Sequence, residues 1–165
     1  MMKRIVIVGP GGAGKSTLAR TLGKRLHIPV HHLDKLYWKD NWVKTPHEEW
    51  LEIQNGLMEE SAWILDGNFS KSFDERFAAA DTIIFLDLPR TLLVWRVIKR
   101  IFLNWRKMRP DMGGNNVERF DLSFLLWIWN YPSREVEEKL EALQKSKVVL
   151  IFKKSKEVSI FLRSI

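Results

Sequence analysis

Nine residues near the start of the chain restrict its fold more than any others: Gly9-Pro10-Gly11-Gly12-Ala13-Gly14-Lys15-Ser16-Thr17, preceded by the apolar run Ile5-Val6-Ile7-Val8. Gly9, Gly14, Lys15 and Ser16 meet the spacing G-x-x-x-x-G-K-[ST], and the surrounding pattern predicts strand, glycine-rich loop and helix start. With glycine at about 7% of residues, a chance match in a chain this long is on the order of 1%. Such a loop turns its N–H groups inward, beside a helix N-terminus, where several donors together hold a triphosphate. Gly9, Gly11, Gly12, Ala13, Gly14 and Thr17 then form the cradle, Lys15 reaches the β- and γ-phosphates, and Ser16 ligates Mg²⁺. An ordinary glycine-rich turn is the alternative reading.

Bulk properties narrow the class. A chain of 165 residues, 45% of them hydrophobic and eight of them Trp, carries enough apolar material for one domain with a real core. Cysteine is absent, which removes disulfides and thiolate zinc sites. The apolar run after Met1-Met2-Lys3-Arg4 is too short for a signal peptide or a membrane span, and the expectation is a cytoplasmic protein without a membrane partner. Lys and Arg number 27 against 20 Asp and Glu, a net charge of +7, which implies an anionic partner: ATP with a substrate, or a nucleic acid.

Downstream, Leu18, Leu22 and Leu26 mark a packed helix face, and Pro29–Leu33 reads as a second strand ending at Asp34. Thr45-Pro46-His47-Glu48 and Ser72-Phe73-Asp74-Glu75 read as capping boxes, the first opening a helix with Trp50, Ile53 and Leu57 on its apolar face. Trp63-Ile64-Leu65 predicts a third strand running into Asp66-Gly67, and Thr82–Leu86 a fourth closed by Asp87, expected to cap the next helix. Pro89 opens that helix, which reaches about Trp105 with Val94, Ile98, Ile101 and Trp105 on one face. Arg96, Lys99, Arg100, Arg106 and Lys107 lie on another face, either a solvated stripe or an anion site. Ser133–Ser146 is helical, Val148–Phe152 is a fifth strand, and Val158, Phe161 and Leu162 mark a last helix. Strands alternating with helices predict an α/β fold, a parallel sheet with helices on both faces in three layers. The segment from Asn104 to Tyr131 breaks this rhythm as an insertion within a single domain, and its Trp127, Trp129 and Tyr131 suit core packing more than base stacking.

Phosphoryl transfer needs a carboxylate for the metal, a group to orient the nucleophile, and cations for the transferring phosphoryl. Asp66, at a strand end, is the candidate to hold Mg²⁺ through water, against a turn aspartate. Asp34, also at a strand end, is the candidate base for an acceptor hydroxyl, against a helix cap. His31 and His32 adjoin on a strand, point to opposite faces and make a poor metal pair.

The order of these motifs resembles the adenylate-kinase-like P-loop kinases. Within them, His-Leu-Asp-Lys-Leu at 32–36, Trp-Ile-Leu-Asp-Gly-Asn at 63–68, Leu-Asp-Leu-Pro-Arg at 86–90 and Arg-Pro-Asp-Met at 109–112 look closest to the bacterial topology modulation proteins. The resemblance implies a sheet of order 2-3-1-4-5 and a lid over ATP formed by residues 104–131. It implies that Arg96 lies near the ATP base, that Arg100 meets phosphates, and that Arg109, Arg119 or Arg134 reaches the transferring phosphoryl. Lys153–Lys156 would lie where such kinases contact adenine with backbone. The turn Gly67-Asn68-Phe69-Ser70 departs from the pattern, lacking the arginine that holds AMP, for which Arg76 is a substitute. Tyr37, Trp38, Asn68 and Phe69 instead suggest an aromatic acceptor pocket. The expectation is a Mg·ATP-dependent phosphotransferase with a small-molecule acceptor. The alternative, which the family name raises, is an ATPase acting on nucleic acid.

Overall fold

A computed structural model describes residues 2–104, 113, 115–117 and 120–165. Its centre is β1 (Arg4–Val8), which lies between β3 (Trp63–Asp66) and β4 (Thr82–Leu86), with β2 (Val30–His32) and β5 (Val148–Phe152) at the edges. Every pairing is parallel, in the order β2-β3-β1-β4-β5 anticipated above, and Val6 stands level with Leu65 and Ile83. Side chains alternate across a strand, so β1 feeds two cores. Ile5 and Ile7 join Ile64 and Ile84 under α1 (Lys15–Leu26) and α5 (Arg90–Leu103), where Leu18, Leu22, Leu93 and Val97 pack. Val6 and Val8 join Leu65, Ile83 and Phe85 under α3 (His47–Glu59), α4 (Phe73–Ala79) and α7 (Ser133–Leu143), with Trp50, Phe77 and Leu140. Strands buried on both faces explain the near-continuous apolar runs.

Several local expectations change. The second strand ends at His32, and Leu33 already belongs to a short helix, α2 (Leu33–Tyr37), which carries Asp34 in its first turn. Neither capping box forms. Thr45 Oγ1 donates to Tyr37 O at 2.7 Å, and Ser72 Oγ donates to Gln54 Oε1 at 2.7 Å, so both hydroxyls serve tertiary contacts, and Pro46 and Ser72 cap without side-chain bonds. Asp87 does not cap α5, whose N-cap is Pro89; its N–H donates to Phe152 O at 2.9 Å and extends the sheet. The most buried face of α5 is Leu93, Val97 and Ile101, one position round from the expected stripe.

In the insertion, α6 (Leu122–Trp129) is capped by Asp121, whose Oδ1 accepts from Phe124 N at 3.2 Å. Leu125 and Ile128 are the buried residues of α6 and Tyr131, two residues past its end, is buried as well, while Trp127 and Trp129 remain 41% and 46% exposed, which corrects their assignment to the core. The helix packs its three-residue-spaced face, leaving the tryptophans on the other side. Trp105, Arg106, Lys107, Arg109 and Arg119 lie outside the described residues. The last helix is α8 (Ser155–Arg163).

Arg76 has another use than the one expected. It is fully buried on α4, and its guanidinium grips the turn after β3: Nη1 donates to Gly67 O at 2.9 Å, Nη2 to Asn68 O and to Phe69 O, and Nε to Ser72 O at 3.2 Å. Its cation also lies 5.2 Å from the centre of the Phe73 ring. Burial pushes its pKa down to about 9, which still leaves it charged at neutral pH. With its donors spent on backbone, Arg76 holds the turn and is not a phosphate ligand. Arg76→Met leaves these carbonyls without a donor and is expected to lower unfolding free energy by about 3 kcal/mol, measured by urea denaturation; a loss under about 1 kcal/mol would rule the clamp out.

Candidate phosphate site and its comparisons

The loop between β1 and α1 opens onto a cleft of about 280 Å³. Backbone from Gly11, Gly12 and Gly14 forms its floor, Lys15, Ser16, Thr17 and Arg20 its α1 side, and Asp34, Arg96, Arg100 and Phe124 the remainder. Two glycines have a visible steric reason. At Gly12, with φ +80°, an added Cβ would meet Leu93 O at 2.7 Å, and at Gly11 it would meet Phe124 Cζ at 2.6 Å. Any side chain there would push α5 or α6 off the loop.

Electrostatically the cleft is an anion site. Among its described lining residues, Lys15, Arg20, Arg96 and Arg100 stand with one carboxylate, that of Asp34, and no acidic residue occupies the first turn of α1. The N–H groups beginning α1 lack intrahelical acceptors and add the positive end of the helix dipole. Lys15 Nζ donates to Gly9 O at 2.8 Å and Pro10 O at 3.1 Å, so the ammonium lies across the loop. Arg96 Nη2 donates to Ser155 Oγ at 2.9 Å, which ties the cleft wall to α8.

The two aspartates differ in surroundings. Asp34 is half-buried and lines the cleft. Asp66 is only 4% exposed and does not line it; its Oδ2 accepts from His32 Nδ1 at 2.8 Å. The carboxylate that opens on the cleft is therefore that of Asp34, and Asp66 stands behind it in a His–Asp pair. His31 turns elsewhere, its Nε2 3.1 Å from Glu60. Among the described residues, no group of three or more His, Asp and Glu forms a metal cage. A Mg²⁺ bound mainly by phosphate oxygens needs only one or two protein ligands, and the Ser16 hydroxyl meets that requirement inside the cleft.

The Lys153 ammonium sits 2.7 Å from Glu137 Oε1, a bond that raises its pKa, its backbone N–H donates to Glu157 Oε2 at 2.8 Å, and the residue is not among those lining the cleft. Arg134 pairs with Glu138 at 2.9 Å on the surface. Arg109 and Arg119 fall outside the described residues.

Sequence reasoning missed four participants. Arg20 could have been found, since it lies one helical turn beyond Ser16. Phe124, the His32 bond to Asp66 and the role of Asn68 carry no local signal. Asn68 Oδ1 accepts from Gly9 N at 3.1 Å and from Tyr131 Oη at 3.2 Å, joining the phosphate loop, the turn after β3 and the residue following α6. Burial and the nearby Asp87 raise the Tyr131 pKa, which keeps the phenol protonated as donor.

Beyond Asn68 lies a second cavity of about 430 Å³, walled by Phe69, Phe73, Trp127, Tyr131 and the first turns of α7. Asn68 and Phe69 belong to it as the sequence suggested, but Tyr37 and Trp38 do not. Tyr37 packs edge-on to Phe69 and Trp50 at 4.7 and 5.1 Å, and Trp38 against Tyr37 and Trp42 at 5.0 and 5.6 Å. These rings pack against one another.

No family model matches the chain. The uncharacterized protein YqaC of Bacillus subtilis is 31% identical over 150 residues, 88% of this chain and 82% of that protein. Shikimate kinase of Shewanella loihica is 32% identical over 74 residues, 45% of this chain and 34% of that protein. Among solved structures, shikimate kinase of Bacteroides thetaiotaomicron superposes with a TM-score of 0.54 at 18% identity, covering 99% of this chain and 96% of that one, a likeness of fold. None of the helices among the described residues is long and apolar enough to cross a membrane. The chain belongs to the family of YqaC, and its fold is that of the P-loop kinases.

Proposed function

We propose that this protein transfers the γ-phosphoryl group of Mg·ATP to a hydroxyl of a small acceptor molecule. The observation that carries the reading is the cleft itself, in which four cationic side chains and a glycine-rich loop at a helix N-terminus face one carboxylate. Such a site stabilises charge spread over a transferring phosphoryl, which is most of what catalysis of this reaction requires.

Asp34 accepts the proton of the acceptor hydroxyl. The hydroxyl oxygen bonds to the γ-phosphorus while the bond from that phosphorus to the β–γ bridging oxygen breaks, and ADP leaves with the electron pair. Lys15 and the loop amides meet charge on the β- and γ-phosphates, and Arg100 adds to them from α5. Ser16 would hold the metal directly and Asp66 through water, using the oxygen that His32 does not engage; Mg²⁺ bound there neutralises phosphate charge. Arg96 flanks the nucleotide base. Residues 104–131 act as a lid of one kinase domain, with Arg109 completing the site and water excluded on closure.

The ordered motifs at 32–36, 63–68, 86–90 and 109–112 support a reading of the chain as similar to the topology modulation proteins. Kinase chemistry remains the preferred reading over action on DNA, because the facing cations gather inside a concave cleft suited to a small polyphosphate.

Three outcomes are expected. ADP release with Mg·ATP is slow for the protein alone and rises with one member of a metabolite panel; stimulation by DNA and by no metabolite would favour the nucleic-acid reading. Lys15→Ala lowers turnover by about a hundredfold to a thousandfold with an unchanged circular dichroism spectrum, and unaltered turnover would exclude its role. Asp34→Asn slows transfer while calorimetric affinity for Mg·ATP is kept; equal loss in both would reassign Asp34 to metal or structure.

A further inference from the structure

The cavity beyond Asn68 has a chemistry of its own. Its volume of about 430 Å³ falls in the range of small-molecule sites. Four aromatic rings wall it, from Phe69, Phe73, Trp127 and Tyr131. Two charged side chains line it, Glu135 and Lys139. Lys139 Nζ is already neutralised by Asp74 Oδ1 at 2.7 Å. Glu135, exposed in the first turn of α7, makes no ion pair or hydrogen bond among the described residues. Arg76, close behind, spends its donors on backbone carbonyls. Among the described residues that line the cavity, the charge without a partner is thus the exposed Glu135 carboxylate, and rings with one anion suit an organic cation. Among the described residues of these walls, an acceptor bearing a carboxylate or phosphate would meet Lys139 already paired with Asp74.

The opposite end of the cavity has a different polarity. Asn68 uses Oδ1 for both Gly9 N–H and Tyr131 Oη–H, and its amide nitrogen is left to donate to a ligand oxygen. The same Gly9 bond sets that end of the cavity against the phosphate loop, on the side where Lys15 lies over Gly9 O and Pro10 O. The helix α6 borders both spaces: Phe124 lines the phosphate cleft, Trp127 lines the cavity, and their rings stack at 5.8 Å.

We propose that the acceptor is a cationic hydroxy compound, an amine or quaternary ammonium carrying a hydroxyl, seated with its cation at Glu135 and the aromatic walls and its hydroxyl at Asn68. The proposal rests on the phosphotransferase reading for its product, a phosphate ester of that compound formed with ADP. The hydroxyl proton passes to Asp34 and then to solvent, and the cationic nitrogen is unchanged.

Isothermal calorimetry without nucleotide tests it, using choline and tyramine as probes beside their uncharged counterparts 3,3-dimethyl-1-butanol and 4-ethylphenol. At least one cation is expected to bind about tenfold or more tighter than its neutral counterpart, and Glu135→Gln is expected to remove that preference. Equal affinities, no binding of either cation, or a preference that survives Glu135→Gln overturns the proposal. A first-turn carboxylate also suits a helix dipole, so urea denaturation of Glu135→Gln is read alongside; lost stability with the cation preference kept assigns Glu135 to the helix and overturns the proposal. Trp127→Leu, on a half-exposed residue, is expected to weaken the cation more than the neutral analogue, and equal weakening counts against the cage. A separate Mg·ATP titration tells the two readings apart: absence of nucleotide binding removes the phosphotransferase, while the cation preference stands or falls by itself.

Discussion

Polar backbone turned inward between β1 and α1 is the constraint on which the rest of the molecule depends. A loop whose N–H groups converge on one volume is stable only if its outer side is packed and its inner side is offered negative charge or water. Here the outer side rests on α5 and α6, close enough that a methyl group at Gly11 or Gly12 would collide with Phe124 or with the carbonyl of Leu93. The inner side is ringed by cations. Sheet and helices can be read as the support of this loop: β1 is buried on both faces, and its direction aims the loop at the carboxyl ends of the neighbouring strands, where ligands collect in open α/β sheets.

A second polar centre ties the loop to its surroundings. Asn68 accepts one hydrogen bond from the loop and one from Tyr131, and Arg76 holds the backbone of the turn on which Asn68 stands. Buried networks of this kind are worth having only when every donor and acceptor is met, and the guanidinium meets the carbonyls of Gly67, Asn68, Phe69 and Ser72 together. The arrangement explains why the turn after β3 is well defined. It uses its arginine from beneath, as a brace, and leaves the space in front of the turn to aromatic side chains and Glu135.

Likeness to kinases and departure from them therefore fall on different parts of the chain. The cleft holds the features that phosphoryl transfer draws on, and the fold likeness to shikimate kinase covers nearly the whole chain. The cavity beyond Asn68 carries aromatic rings and the Glu135 carboxylate among its described lining residues. Cleft and cavity are thus surfaces of different chemistry, linked by the hydrogen bond from Gly9 N to Asn68 Oδ1.

The amino-acid sequence by itself determined the five strands, the sheet's parallel character and the glycine-rich loop between β1 and α1, because each is encoded within a short window: apolar runs, glycine spacing and helical periodicity. The order 2-3-1-4-5 followed from resemblance and agrees with the pairing seen. Tertiary structure alone decided how polar side chains are matched. His32 and Asp66 are 34 residues apart, Gly9 and Asn68 59, and Asn68 and Tyr131 63. It turned Asp66 toward His32, bound Lys153 to Glu137, converted Arg76 into a brace and left Trp127 on a cavity wall. The physical reason is that periodicity records which face of an element is apolar, whereas the partner of a charge or an amide depends on which distant segment packs beside it.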